Sequence, residues 1–447
     1  MNLAELLLDR APTPSGSAAF VFRDVTLSRA ALRERMHGAA RRMRRDGVRA
    51  GDRVALRLPN GPHLVAAWLA AQWVGAVAVP VPPLYRRREV ARIVSDSGAS
   101  LIVSDGQWCG EAAPEQPPHP RSSDDPATIN YIATEEGPLR GVVQTPGDVA
   151  AAFDAYARGV LALGPADVCI GALGLGWAYG FGALLAFPML AGATSVVVDE
   201  PDLLLTSIAA HSATILFAVP TTYRMLLGHP LFDAARVRGL RCCVSAGEPL
   251  PAAVADEWRR RTGLEILDGL GTTELTHIVV SARRGAARSG FIGQPLEGYD
   301  ARIVDAGGRA VADGEPGLLA VRGPTRARYW NDPDAERRAF RDGWTLTGDV
   351  AIRHPDGWFQ HVRRADSLIV SAGYKISIRE VEAALRDHPD VADARVNGRP
   401  DAMRGAVVHA VVTPRPHAEA ATLPERLRVY LKSELAPFKC PRAIEIA

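Results

Sequence analysis

The sequence of 447 residues contains only three lysines, Lys375, Lys432 and Lys439. Arginine therefore carries nearly all of the positive charge, and the 52 basic residues are almost balanced by 50 acidic ones. A formal net charge of +2 gives no broad basic surface for a polyanion. We therefore expect no nucleic-acid partner.

Cysteine is scarce and irregularly spaced. The odd number of cysteines and the lack of any CxxC pair indicate neither a disulfide framework nor a zinc site. This usage is typical of a protein kept reduced, so we expect a cytoplasmic location. The cysteines are Cys109, Cys169, Cys242, Cys243 and Cys440.

Long apolar runs are also missing. The N-terminal segment Met1–Pro14 has an acidic residue early, and its apolar run is too short for a secretion signal. The most apolar region, Leu173–Val198, is interrupted by glycines and by Pro188. A membrane span needs about 18 uninterrupted apolar residues, so we expect no membrane partner.

The first 290 residues alternate between short β-branched runs and alanine-rich helical patterns. Helical patterns such as Gly61–Trp73 and Pro146–Leu163 lie between several of the strands. This alternation predicts an α/β fold with parallel or mixed sheets flanked by helices. The predicted strands are Arg53–Leu58, Leu101–Ser104, Ser195–Val198, Ile215–Val219 and Cys242–Ser245.

The pattern changes twice after residue 290. Residues 291–362 contain short strands separated by Gly, Pro and Asp turns, which predicts a small antiparallel, barrel-like subdomain. Residues 364–447 show helices near Arg379–Arg386 and Glu425–Glu434 among strands, which predicts a small mobile α+β domain. We therefore expect an N-terminal domain over 1–363 and a C-terminal domain over 364–447. Residues Gly110–Asp125 read as a surface loop.

Three segments carry the chemical signal. They are LDGLGTTELTH at Leu267–His277, WTLTGD at Trp344–Asp349, and RRADSLIVSAGYKISIREVE at Arg363–Glu382. Taken alone, TTE is typical of a helix N-cap and TGD of an ordinary turn. Their order and joint spacing outweigh those interpretations. SAGEPLP at Ser245–Pro251 and ELAPFKCPRAIE at Glu434–Glu445 add support.

Together these segments resemble the adenylate-forming (AMP-binding) superfamily of acyl-CoA synthetases, and most closely its benzoate- and 2-aminobenzoate-CoA ligases. Such enzymes join a carboxylate to AMP, and a thiol then displaces the AMP. The site needs hydrogen-bond donors for the phosphate, a ligand for magnesium, and a carboxylate for the ribose diol. The resemblance therefore implies an acid–thiol ligase that uses ATP or AMP, Mg²⁺, and coenzyme A or carrier pantetheine.

The resemblance assigns roles to individual residues. It implies that Thr273 contacts the α-phosphate, that Glu274 holds magnesium, and that Asp349 and Arg364 bind the ribose. Asp366 would be the hinge about which the C-terminal domain swings between an adenylating and a thioester-forming pose. With Thr273 and Glu274, Asp366 forms the expected catalytic set. The nucleotide-binding set is Gly247, Glu248, Asp268, Gly269, Leu270, Gly271, Thr272, Thr273, Asp349 and Arg364.

The remaining assignments concern the acid and the thiol. Ser371, Ala372 and Gly373 would lie on the coenzyme A side, and Lys375 is expected to be a solvated side chain. Small residues around one large aromatic side chain suit a flat aryl acid better than a long acyl chain. The expected acyl pocket consists of Trp177, Tyr179, Ala218, Thr221, Ala246 and His277.

Two departures from the family fall on the ATP side. The family's phosphate loop reads approximately TSGTTGxPKG, whereas Ile132–Gly141 reads IATEEGPLRG, with Glu135 and Glu136 in the loop and Arg140 in place of lysine. A carboxylate about 4 Å from a phosphate charge costs on the order of 4 kcal/mol at an effective dielectric near 20. The sequence also ends at PRAIEIA, before the family's C-terminal GK lysine.

These departures leave three hypotheses open. The first is an aryl or small-acid ligase with weakened ATP machinery. The second is a repurposed enzyme that moves a pre-activated acyl group to an amine or a carrier without using ATP. The third is a non-catalytic nucleotide-binding homologue. The expected partners are a small carboxylic acid and, alternatively, an acyl carrier protein, in a monomer or homodimer.

Overall fold

The computed structural model describes residues 1–10, 13–106 and 116–447. Cys109 and the first residues of the predicted loop lie outside these ranges. Residues 116–125 form no helix or strand, as expected of a loop. In the described ranges no helix combines the length and the apolarity needed to cross a bilayer.

The largest sheet has nine strands, and its six central neighbours run parallel. Its middle strand, Ile215–Ala218, is buried along its whole length because apolar clusters cover both faces. In sheet order the strands are Gln294–Pro295, Ile278–Ser281, Ile266–Gly271, Cys242–Ser245, Ile215–Ala218, Val168–Gly171, Thr194–Val197, Ala18–Phe22 and Val25–Ser28.

A second sheet has five strands and ends in an antiparallel hairpin. Its strands in order are Leu101–Val103, Arg53–Leu56, Val77–Pro80, Thr128–Ile132 and Arg140–Gln144. The last two strands pair with Ile132 opposite Arg140. The segment that resembles a phosphate loop therefore forms the tip of a β-hairpin, which we call the phosphate hairpin (residues 132–140).

The antiparallel subdomain contains Asp300–Val304, Pro316–Arg322, Phe340–Arg341, Trp344–Arg353 and Phe359–Arg364. Residues 369–446 form a separate apolar core. Around it lie strands Ile369–Ser371, Tyr374–Ile376, Val391–Asp401, Gly405–Pro414 and Ala443–Ile446. The predicted fold class, with mixed sheets, an antiparallel sheet and a small C-terminal α+β unit, is confirmed.

Thirteen α-helices occur in the described ranges. They are Leu3–Asp9, Arg29–Arg45, Pro62–Trp73, Arg87–Ser97, Pro146–Ala152, Ala178–Phe181, Phe187–Ala191, Leu204–Ala210, Pro220–Gly228, Ala252–Thr262, Pro333–Ala339, Ile378–Arg386 and Leu423–Glu434.

The helix predicted over Pro146–Leu163 ends earlier, at Arg158. It is an α-helix up to Ala152, and Phe153–Arg158 adopts the wider π-helical winding. A β-carbon at Gly159 would lie 2.6 Å from the Ala155 carbonyl oxygen, so the tight exit from this winding requires glycine. The π-helical segment carries Tyr156 into the core beside the candidate acyl pocket.

Candidate functional site

The TTE segment lies at the carboxyl edge of the nine-stranded sheet. Strand Ile266–Gly271 ends there, and Thr273–Leu275 forms a 3₁₀ turn. Glu274 Oε1 accepts a hydrogen bond of 3.0 Å from Tyr329 Oη. Burial and the neighbouring Glu274 raise the pKa of Tyr329, which therefore stays a donor. The carboxylate of Glu274 is thus held in place by a phenol that sequence reasoning had missed.

Asp349 and Arg364 face each other across two antiparallel strands. Arg364 Nη1 donates to Asp349 Oδ1 at 3.0 Å, and His361 Nε2 lies 3.3 Å from the same oxygen. Burial alone would raise the pKa of Asp349, but His361 and Arg364 outweigh it and lower the pKa to about 2. Arg364 also pairs with Asp366. Three residues assigned from two separate motifs therefore form one charged network.

Lys375 is not the solvated side chain expected from the sequence. Desolvation and the nearby Arg364 lower the pKa of its ammonium, whereas Asp349 and Glu274 act in the opposite direction. The lysine is half-buried and lies within electrostatic range of the Asp349–Arg364 pair. The two-stranded turn Ile369–Ser371 and Tyr374–Ile376 carries it there, a placement that local sequence could not show.

Several buried polar atoms at this edge have no hydrogen-bond partner among the described residues. They are Glu248 Oε1, Asp268 Oδ1 and Thr272 Oγ1. Burial raises the pKa of Asp268 to about 8, so its carboxyl is largely protonated at neutral pH and can donate. Unpaired buried groups of this kind are costly unless a ligand satisfies them. The chemistry of Asp268 and Thr272 fits the amino, ring-nitrogen and hydroxyl groups of a nucleoside, whereas Glu248 Oε1 lies toward Gly373.

His277 and Tyr179 form a second, aromatic group. Their ring centroids are 5.5 Å apart, and Phe187 and Tyr156 contact the imidazole at 4.6 Å and 5.4 Å. Burial lowers the pKa of His277 to about 3, so the ring is neutral. Tyr179 Oη donates to the Ala218 carbonyl at 3.2 Å. The structure therefore brings together Tyr179, Ala218 and His277 from the expected pocket.

Trp177 and Thr221 lie apart from that group. The Trp177 ring meets Tyr374 edge-on at 5.4 Å and Tyr85 at 6.4 Å. Thr221 Oγ1 lies 3.2 Å from the Met403 carbonyl oxygen. Both residues face residues 364–447, across a boundary that we call the interdomain seam. Ala246 is buried at the end of strand Cys242–Ser245.

The loop Ser371–Gly373 meets the same seam. Ala372 and Gly373 have φ of 48° and 82°, and Ala372 N–H donates to the Arg404 carbonyl at 3.0 Å. A β-carbon on Gly373 would lie 3.2 Å from Val219 Cγ1 and 3.8 Å from Glu248 Oε1. Glycine therefore allows this loop to approach the sheet edge closely.

Glycines also shape the sheet edge itself. A β-carbon on Gly271 would lie 2.3 Å from the His277 carbonyl oxygen, and one on Gly269 would lie 2.8 Å from Ile278 Cγ2. Leu270, between them, is buried. Gly247 has a φ of 87°, which turns the chain after Ser245. The assigned glycines thus permit the sharp reversal that carries the TTE turn.

The phosphate hairpin satisfies its own polar groups. Thr134 Oγ1 donates to the Pro138 carbonyl at 2.8 Å, and both glutamates that follow it are exposed. Arg140 Nε donates to Asp332 at 2.8 Å, and its Nη2 lies 3.5 Å from Glu136. The arginine that replaces the expected lysine is therefore already paired with carboxylates.

No group of three or more His, Cys, Asp or Glu side chains with metal-binding geometry exists in the described ranges. Glu274 therefore stands as a single carboxylate candidate. Magnesium usually takes one or two protein carboxylates and fills its other positions with phosphate oxygens and water. Glu274, a partly buried carboxylate at the sheet edge, fits that habit.

The AMP-binding enzyme family matches residues 8–117 and 104–330, and the AMP-binding enzyme C-terminal domain matches residues 380–447. The chain is 35% identical to a benzoate–CoA ligase from Thauera aromatica over 356 residues, covering 78% of this chain and 66% of that ligase. It is 31% identical to a 4-hydroxybenzoate–CoA/benzoate–CoA ligase from Rhodopseudomonas palustris, covering 100% of this chain and 90% of that ligase.

Solved structures fall into two groups by similarity. The amide bond synthetase McbA from Marinactinospora thermotolerans has a TM-score of 0.90 at 25% identity, covering 100% of this chain and 96% of that chain. The o-succinylbenzoate CoA synthetase MenE from Bacillus subtilis, bound with the product analogue OSB-NCoA, has a TM-score of 0.89 at 27% identity, with coverages of 99% and 94%. The anthranilate CoA ligase AuaEII in complex with anthranoyl-AMP has a TM-score of 0.77 at 27% identity, with coverages of 100% and 93%.

Proposed function

The chain belongs to the AMP-binding enzyme family of acid–CoA ligase-like, AMP-forming enzymes, and from this premise we propose that it converts an aryl or other small carboxylic acid into an acyl-adenylate and then a thioester. The observation that carries the proposal is the convergence of three distant segments on one sheet edge. Glu274 of the TTE turn acts on the charge of Arg364, which pairs with Asp349, and Gly373 of the loop Ser371–Gly373 approaches Glu248 at the end of the neighbouring strand.

Each residue then has a role in the proposed reaction. Asp349 accepts hydrogen bonds from the ribose hydroxyls, and Thr273 donates to the α-phosphate. Glu274, fixed by Tyr329, would hold magnesium, which would supply charge neutralisation at the phosphate. Arg364 links this nucleotide site to the hinge residue Asp366, so adenylate binding and domain orientation share one network.

The proposed acid is aromatic. The neutral imidazole of His277 packs against the rings of Tyr179 and Phe187 at interplanar angles of 46° and 66°, which gives one aromatic cluster. An aromatic lining of this kind favours a planar acid over a flexible chain, which would lose rotational freedom on binding. The substrates in the names of the relatives, benzoate and 4-hydroxybenzoate, support the same class.

We expect aromatic acids to stabilise the protein more than fatty acids do. With AMP and magnesium present, benzoate and its ring-substituted analogues should raise the melting temperature, whereas octanoate and longer acids should not. Differential scanning fluorimetry over a concentration series gives the comparison. Preferential stabilisation by acids of eight or more carbons in a chain would refute the aryl pocket.

We expect Asp349→Ala to weaken AMP binding by about tenfold or more, because charge-assisted hydrogen bonds are worth roughly 1.5–3 kcal/mol. Isothermal titration calorimetry with AMP measures the change. Asp356→Ala provides a matched control, since this half-exposed aspartate pairs with Arg288 and not with the Asp349–Arg364 network. Equal AMP affinity in Asp349→Ala and the parent chain would remove Asp349 from the site.

A second candidate function is transfer of a pre-activated acyl group without ATP. The two groups of solved structures differ in TM-score at the same coverage and identity, which indicates a different arrangement of their parts. This chain is closer to the structure with a CoA product analogue than to the one with an acyl-AMP. The similarity to the structure with the CoA product analogue and the acidic phosphate hairpin both favour the second step of the reaction, in which the acyl group moves from the adenylate to its acceptor.

A further inference from the structure

Glu248 is a buried carboxylate, and one of its two oxygens has no hydrogen-bond partner among the described residues. Its residue is 9% exposed, and it follows the turn at Gly247. Oε2 accepts a hydrogen bond of 3.0 Å from Thr221 Oγ1, whereas Oε1 has no partner among the described residues. A buried carboxylate oxygen without a donor is costly. The Thr221 hydrogen bond therefore satisfies only one of the two carboxylate oxygens of Glu248.

The spare oxygen faces the interdomain seam. It lies 3.8 Å from the position of a β-carbon on Gly373, at the tip of the loop Ser371–Gly373. The Met403 carbonyl oxygen, also from residues 364–447, lies 3.2 Å from the Thr221 hydroxyl. Glu248 Oε1 is therefore placed between the sheet edge and the loop assigned to the thiol.

The electrostatic surroundings leave this carboxylate basic. Burial raises the pKa of Glu248, and the Thr221 hydrogen bond and Arg224 only partly oppose it. Arg224 Nη1 lies 3.8 Å from Oε2, the oxygen that Thr221 already contacts. At the turn between strands Val391–Asp401 and Gly405–Pro414, Asp401 Oδ1 accepts hydrogen bonds from the N–H groups of Met403 and Arg404. A base whose pKa lies closer to neutrality takes up and releases protons more effectively.

We propose that Glu248 is a catalytic base that accepts the proton of the thiol attacking the acyl-adenylate. The inference rests on the proposed function. The thiol sulfur forms a bond to the acyl carbon, and the bond from that carbon to the phosphate oxygen breaks, with its electron pair leaving on AMP. The S–H proton moves to Glu248 Oε1 and then to solvent. The sequence had placed Glu248 only among the nucleotide-binding residues.

The test supplies benzoyl-adenylate and CoA to the full chain and follows thioester formation in a single turnover. General-base catalysis is worth at least about 100-fold, so Glu248→Gln should lower the rate by that factor at pH 7 while AMP affinity stays within about twofold. The rate of the parent chain should rise with pH through the pKa of Glu248, and this limb should vanish in the variant. Glu257→Gln serves as the control, because Glu257 forms an exposed ion pair with Arg260.

A second measurement separates a base from a structural residue. A thiol that is already ionised at the assay pH needs no base, so the Glu248→Gln defect should shrink with thiols of low pKa. A defect that is the same for every thiol, or a loss of AMP affinity that equals the loss of rate, overturns the inference. A parent chain that forms no thioester from benzoyl-adenylate overturns the proposed function itself.

Discussion

Acid-dependent ATP–pyrophosphate exchange by this chain is expected to be at least about 100-fold slower than its conversion of a supplied acyl-adenylate and CoA to thioester. Adenylation requires the β- and γ-phosphates to be held while the acid attacks the α-phosphorus. Each carboxylate about 4 Å from a phosphate charge opposes that by on the order of 4 kcal/mol at an effective dielectric near 20. One such cost already exceeds the factor expected, since about 1.4 kcal/mol is tenfold and 100-fold therefore corresponds to about 2.8 kcal/mol.

The geometry of the phosphate hairpin supports this expectation. Glu135 and Glu136 are exposed at its tip, and Arg140 is paired with Asp332 and Glu136. A β-carbon on Gly137 would lie 3.6 Å from Arg379 Cβ, so the tip also lies against the C-terminal unit. The hairpin therefore offers neither the hydroxyl donors nor the free cation that a triphosphate needs.

The exchange experiment uses labelled pyrophosphate, benzoate and ATP, with single-turnover thioester formation from benzoyl-adenylate measured on the same preparation. Replacing Thr134–Glu136 with Gly-Ser-Thr should raise the exchange rate at least tenfold and leave the single-turnover rate unchanged. Glu257→Gln should change neither rate. Robust exchange by the unmodified chain would show that the hairpin holds triphosphate in spite of its charge.

Much of the arrangement of the candidate nucleotide site could be predicted from the sequence because its motifs are local. The TTE turn follows directly from a strand, and Asp349 and Arg364 each lie on a strand whose pairing sets them opposite one another. What local sequence could not show are the partners supplied by distant segments. Tyr329 reaches Glu274 across 55 positions, and no spacing rule predicts that contact.

The directions in which side chains point could not be predicted from the sequence either. Trp177 and Tyr179 are two positions apart and were assigned to one pocket, yet Trp177 contacts Tyr374 and Tyr179 contacts His277. The short helix Ala178–Phe181 starts between them and separates the two rings. Whether both rings serve the acid therefore depends on how residues 364–447 are oriented, which is a property of the interdomain seam.

The strongest polar contact across that seam is a buried triad of Lys439, Glu89 and Glu380. Lys439 Nζ donates to both oxygens of Glu380 at 2.7 Å each and lies 3.1 Å from Glu89 Oε1. The lysine and Glu89 side chains are 1% and 0% exposed. Glu89 belongs to helix Arg87–Ser97 of the N-terminal part, whereas the other two belong to residues 364–447. It also accepts the Ala436 N–H at 2.8 Å, and nearby Arg87 pairs with Glu434.

Lys439→Met is therefore expected to destabilise the seam by about 3–5 kcal/mol, the usual cost of removing one partner from a buried ion pair. Two carboxylates would remain buried without a cation, and separation of residues 364–447 from the helix would return both to water. Amide hydrogen exchange should accelerate by at least about 100-fold at residues 434–440 and in helix Arg87–Ser97, since about 1.4 kcal/mol is tenfold. The strands of the nine-stranded sheet should keep their protection.

Two control variants separate the buried charges from exposed ones. Glu89→Gln keeps an acceptor for Ala436 and leaves Lys439 paired with Glu380, so its effect should be smaller. Arg399→Met removes an ion pair with Glu445 that is half exposed on both sides, and it should change exchange at the seam by less than about twofold because exposed pairs contribute about 0–1 kcal/mol. Unchanged exchange at residues 434–440 in Lys439→Met would show that the aromatic contacts of Trp177 and Tyr374, and not the buried charges, hold the two parts together.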